Sequence, residues 1–176
     1  MTFMHISKLD AASRQLHKAV QMFLNKNDPV SIHTLGSAAQ EMFESLCRAR
    51  KIKSLKSQIL ETVREERQNE FGKKLNEAKN FFKHANRDSE ADIKFNPDTN
   101  EFVLWDAVQL YYLLTKQKEP LFVAFLLWMY AKNPEFVILN PEQKMAYDFL
   151  TKDLDPNNRS LFLQKVSKLS QGSNIN

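Results

Sequence analysis

The sequence predicts an all-α protein of seven to eight helices, forming a single helical domain over residues 1–170 with a disordered tail at 171–176. Three observations carry that expectation. Only three glycines occur in 176 residues, whereas hairpins, bulges and nucleotide-binding loops need glycine for positive φ or close backbone approach. Apolar residues recur at steps of three and four along much of the chain, the period of a helix with one buried face. Five of the six prolines follow Asn or Asp, at 28–29, 96–97, 133–134, 140–141 and 155–156. In such a pair the first residue caps a helix and proline takes the first helical position, so the pairs are expected to mark helix starts.

Taken in order, the first helix is expected from Ser7 to Asn25, with Leu9, Ala12, Leu16, Val20 and Phe23 on its buried face. The second starts at Pro29 and carries Ile32, Leu35, Ala39, Met42 and Leu46 in the same rhythm. A third, more charged helix spans Ser54 to Gln68, and Gly72 separates it from a fourth at Lys73 to Asn86. Residues 87–96 read as a loop with a short extended stretch at Ile93 and Phe95. The helix from Pro97 to Lys116 is apolar nearly all round and should be buried on several sides. Helices at 120–132, 141–152 and 156–169 complete the chain.

The composition narrows the function classes. Cys47 is the only cysteine, which excludes an internal disulfide framework and cysteine-based zinc sites. The opening MTFMHISKLD has no basic segment followed by a long apolar run, and the most apolar window, Leu121 to Ala131, falls short of the roughly 20 residues of a spanning helix. A cytoplasmic protein without membrane attachment is therefore expected. His17, His33 and His84 sit on three separate helices with Glu41 or Glu44 as further donors, but none forms a Glu-x-x-His or His-Glu-x-x-His pattern. Neither a metal site nor a cofactor is expected. Cys47 has basic neighbours in Arg48 and Arg50, yet a small residue on an apolar helix is more often buried and inert.

Charge is uneven. Between Arg48 and Arg87 stand twelve Lys or Arg against five Glu. Arg48, Arg50, Lys51, Lys53 and Lys56 follow one another with no intervening acid, as on a surface that contacts phosphates or an acidic partner. On the fourth helix, Asn80 and His84 are one turn apart, with Lys79 and Lys83 beside them, while Leu75, Ala78, Phe82 and Ala85 turn to the core. Asn76, Asn80, Lys83, Arg87 and part of His84 would face solvent.

The stretch Lys79-Asn80-Phe81-Phe82-Lys83-His84 resembles the motif of the HEPN superfamily: an arginine, a polar residue and, a few positions later, a histidine. The resemblance implies a helical core, here residues 1–116 with additional C-terminal helices, that dimerises so that two motif helices share a cleft. In active members that cleft cuts RNA without a metal, and other members are binding partners. Carried over by position, His84 would transfer the proton, Asn80 would be the polar residue, and Lys79 would stand where the arginine belongs. An ammonium lacks the bidentate fork of a guanidinium, so Lys79 departs from the pattern where phosphate geometry matters most. The stretches DPVSIHTLGSAAQEMF and NEAKNFFKHANRD also resemble a group of uncharacterised bacterial proteins, which implies no activity.

Two functions follow as expectations. The first is a non-enzymatic, self-associating interaction module, a homodimer whose basic face of Arg48, Arg50, Lys51, Lys53, Lys83 and Arg87 takes an acidic partner or nucleic acid. The alternative is a HEPN-type, metal-independent endoribonuclease in which His84 moves a proton, Lys79 and Lys83 steady the phosphate and Asn80 is the motif's polar residue. Small-ligand binding among the aromatic residues at 105–130 is a third, weaker reading.

Overall fold

The computed structural model describes residues 2–53, 76–84, 89–135 and 139–172, and every regular element among them is a helix. In chain order these are α1 (Lys8–Leu24), α2 (Pro29–Ala49), α3 (76–83), α4 (Thr99–Thr115), α5 (Pro120–Lys132), α6 (Pro141–Thr151) and α7 (Ser160–Gly172). The expected third helix with Lys56, Gly72 and the chain end at 173–176 lie outside the described residues. No helix among the described residues is long and apolar enough to cross a membrane.

Two Asx-Pro pairs open helices as their chemistry dictates. Asp28 caps α2, its carboxylate accepting from Ser31 N at 2.7 Å, and Ser31 thereby holds that carboxyl below the usual carboxylate range. Asn140 and Gln143 make a reciprocal capping box on α6, at 2.8 and 3.1 Å. The other three pairs do not open helices. Asn96 Oδ1 accepts from Asp98 N, and Asp155 Oδ1 from Asn157 N. Asn96 and Asp155 thus each close a turn two residues ahead, whereas the caps Asp28 and Asn140 accept from the third residue, inside the first turn of the helix. Hence α4 starts at Thr99 rather than Pro97, and α7 at Ser160 rather than 156. Asn133 closes α5 instead, its N–H donating to Met129 O.

Three helix ends are built without glycine. Lys26, Lys51 and Lys116 all adopt positive φ, of 54°, 58° and 59°, within two residues of the ends of α1, α2 and α4. After α1, Lys26 N donates to Phe23 O and Asn27 N to Met22 O; after α2, Lys51 N donates to Arg48 O and Ile52 N to Cys47 O. These paired bonds form the Schellman arrangement, with lysine where glycine is usual and its charge beside the negative end of the helix dipole. The left-handed conformation costs a side-chain-bearing residue about 1 kcal/mol or more. Lys26→Gly is therefore expected to raise the unfolding free energy by about 1 kcal/mol in a urea melt; no gain would show that the turn is unstrained.

The chain divides into two compact units. One comprises Met1–Ala19 and Asp28–Lys116, and so holds most of α1 with α2, α3 and α4; the other comprises Val20–Asn27 and Gln117–Asn176, with α5, α6 and α7. In the first unit α2 packs against α4 at Gly36, where a Cβ would lie 3.0 Å from Leu104 Cδ2 and 3.4 Å from Val103 Cγ1. The second centres on Trp128 of α5, whose indole N–H donates to Pro156 O at 2.8 Å. The Arg159 guanidinium lies over the rings of Phe23 and Trp128, at 3.9 and 4.9 Å from their centroids.

Candidate nucleic-acid interface and an adjacent buried histidine

The apolar spacing of α2 foretold a buried face through Ile32, Leu35, Ala39, Met42 and Leu46, but Leu35, Met42 and Leu46 are only half-buried. The buried side instead carries His33, Gly36, Ser37, Gln40, Phe43 and Cys47. Two buried polar pairs bridge it to α4. Gln40 Nε2 donates to Asp106 Oδ2 at 2.7 Å, and His33 Nδ1 lies 2.8 Å from Asn100 Oδ1. A carboxylate as deeply buried as Asp106 needs such donors, because a polar group removed from water without a partner costs several times what a satisfied one contributes.

The Asn100 amide fixes the histidine tautomer. Its Nδ2 donates to Pro29 O at 3.0 Å, so its Oδ1 is the acceptor that faces His33, and His33 Nδ1 carries the hydrogen. Nε2 is then a bare lone pair, buried and without a hydrogen-bond partner among the described residues. Around the imidazole stand Phe82 of α3 and Phe95 of the connection before α4, edge-to-face at 5.7 and 5.1 Å. Burial, with the charge of Lys79 adding to it, holds the imidazole below its ordinary value against the opposing Asn100 bond. Burial likewise pushes the Cys47 thiol up, which disfavours a reactive thiolate.

The edge of α2 beside this buried face gathers the charged motif residues. Glu41 Oε2 accepts from Lys83 Nζ at 2.8 Å and lies 3.7 Å from Lys79 Nζ, so α3 is laid along α2 by two cations on one carboxylate. The Lys79 side chain is only 14% exposed, which gives it a packing role alongside its charge, while Lys83 and Asn80 face solvent and Asn76 is half-buried. His84 is half-buried and directly follows the last helical residue of α3, one turn beyond Asn80. Arg87 lies outside the described residues.

Arg48 is seven residues beyond Glu41, which puts it on the same side of α2, about 10 Å further along the axis. Its side chain is exposed, as are those of Lys51 in the left-handed turn and Lys53 after it. Arg50 is committed differently: its Nη1 donates to Leu114 O at 3.2 Å and so satisfies a terminal carbonyl of α4. Arg48 thus shares one edge of α2 with Lys79 and Lys83, more than thirty residues away in sequence. His17 is exposed on α1 and His33 is buried on the side of α2 that faces α4, and among the described residues no group of three His, Cys, Asp or Glu could hold a metal ion. Comparison of the chain with protein-family models, with curated proteins and with solved structures gives no match, so the HEPN resemblance rests on its own six residues and on the helical layout.

Proposed function

We propose that the chain is a non-enzymatic binding module for nucleic acid, which lays a phosphate backbone along the edge of α2. What supports this reading is Lys83 at the Glu41 carboxylate and Arg48 about two turns further along the same side of α2, followed by exposed Lys51 and Lys53 with no acid between them. Cations spaced along one helix edge supply sequence-independent phosphate contacts, each releasing counterions and steepening the salt dependence of binding. Arg50 anchors the turn that carries them rather than joining them on the phosphates. The reading includes self-association: Met145 and Phe149, exposed one turn apart on α6, are assigned to a second copy, which sedimentation checks.

The test is binding of a labelled mixed-sequence RNA in EDTA across a salt series. Arg48→Glu with Lys53→Glu is expected to weaken binding at least tenfold near 0.1 M salt and to flatten the log–log salt slope by about one for each phosphate no longer neutralised. Unchanged affinity and slope would reject the α2 edge, and binding of an acidic peptide but not RNA would reassign the partner. Should RNA be cut by the wild type and left intact by His84→Ala, the endoribonuclease reading would replace this one.

A further inference from the structure

We propose that His33 is an acid-sensitive latch, whose protonation at Nε2 releases α3 and the connection carrying Phe95 from α2. The latch does not depend on what the basic edge of α2 binds. Its geometry has three parts. Asn100, held by Pro29 O, accepts the Nδ1 hydrogen and leaves Nε2 as the site a proton must take. Nε2 is buried and has no hydrogen-bond partner among the described residues, so the new N–H would find no acceptor there. Covering the ring are Phe82 and Phe95, which also touch each other edge-to-face at 5.2 Å, so the two covering segments form one lid.

The surroundings oppose a charge on this ring. On the elements packed against it, the charged residues described are Glu77, Lys79 and Lys83 of α3, Glu90, Asp92, Lys94 and Asp98 of the connection, and Glu101 and Asp106 of α4. Lys79 is the one that acts on the imidazole, and its sign disfavours protonation. Aromatic faces attract cations, but such contacts contribute less than removing an imidazolium from water costs. Opening the lid restores that hydration. The direction follows from linkage: the folded value is depressed, so the neutral-ring stabilisation is complete above the ordinary imidazole value near 6.5 and is lost as pH falls below it toward the folded value. In that window the open form holds more protons, and stability falls with pH.

Amide hydrogen exchange of the full chain, corrected for intrinsic rates, compares pH 7.5 with pH 5. Exchange in 76–83 and 91–98 is expected to rise at least tenfold at the lower pH, with 121–131 unchanged. His33→Phe should abolish the pH-dependent part. Asn100→Asp places a carboxylate against Nδ1–H, stabilises the imidazolium and should move the midpoint upward by about one pH unit. If His33→Phe does not fold, the NMR titration of His33 in the wild type decides, together with Asn100→Asp. Equal loss of protection in all helices, a midpoint unmoved by Asn100→Asp, or titration of His33 at the ordinary imidazole value would each overturn the latch.

Discussion

Trp128→Ala is expected to lower the unfolding free energy by about 3–5 kcal/mol, the range for deleting a large aromatic side chain from a packed core. The residue is 1% exposed on α5, with the Phe23 ring 4.9 Å away edge-to-face and the Phe125 ring at 6.0 Å. Three further interactions depend on the indole. Its N–H satisfies Pro156 O in the turn before α7, and its ring faces Arg159 and, at 5.4 Å, Lys132. Arg159 is held a second time by Phe23 O at 3.3 Å, so losing the indole leaves a guanidinium with one aromatic face instead of two. Trp128→Phe separates the contributions: it keeps a ring but removes the donor to Pro156, and about 1–2 kcal/mol is expected. Urea melts followed by far-UV circular dichroism measure both variants. A loss below about 1 kcal/mol for the alanine variant would mean that Trp128 is not the centre of the α5–α7 unit.

What could be read from the sequence divides by the range of the interactions involved. The amphipathic face of α1 was legible because Ala12, Leu16, Val20 and Phe23 are all buried at the spacing that a single helix imposes. Pro29 and Pro141 marked helix starts correctly because a cap is settled within four residues. The same dipeptide chemistry misled at Asn96 and Asp155, whose side chains bond two residues ahead and make turns. The ends of α1, α2 and α4 were harder, since no glycine announces them and lysine takes the left-handed position. The polar side of α2 was hidden for a different reason. His33, Gln40 and Cys47 recur at the heptad spacing of a core, but only the partners on α4, more than sixty residues away, make burying the first two of them tolerable. Similarly, Glu41 reads in the sequence as an ordinary acid on a helix surface, and only the placement of α3 makes it the seat of Lys79 and Lys83.

Gly36→Leu is expected to lower the unfolding free energy by about 3 kcal/mol, the upper part of the range for overpacking a close contact. A Cβ alone would sit 3.0 Å from Leu104 Cδ2, and the branches of a leucine must go further into α4. Gly36→Ala is the informative control. Alanine gains about 1 kcal/mol of helix propensity over glycine, and a side-chain methyl can yield a few tenths of an ångström, so the two effects should nearly cancel. Leucine cannot be absorbed that way, because Val103 closes the adjacent direction at 3.4 Å and α2 must move bodily from α4. That movement has a consequence set by position. Gly36 lies between His33 and Gln40, so separating the helices stretches both buried hydrogen bonds, to Asn100 and to Asp106, toward lengths at which neither is satisfied. The loss should therefore exceed what van der Waals overlap alone would give, and Gly36→Leu should also raise hydrogen exchange in α2 and α4 without altering α5. If Gly36→Leu melts within about 0.5 kcal/mol of the wild type, the two helices are not held at this spacing by their polar pairs, and α2 and α4 meet through ordinary apolar contact alone.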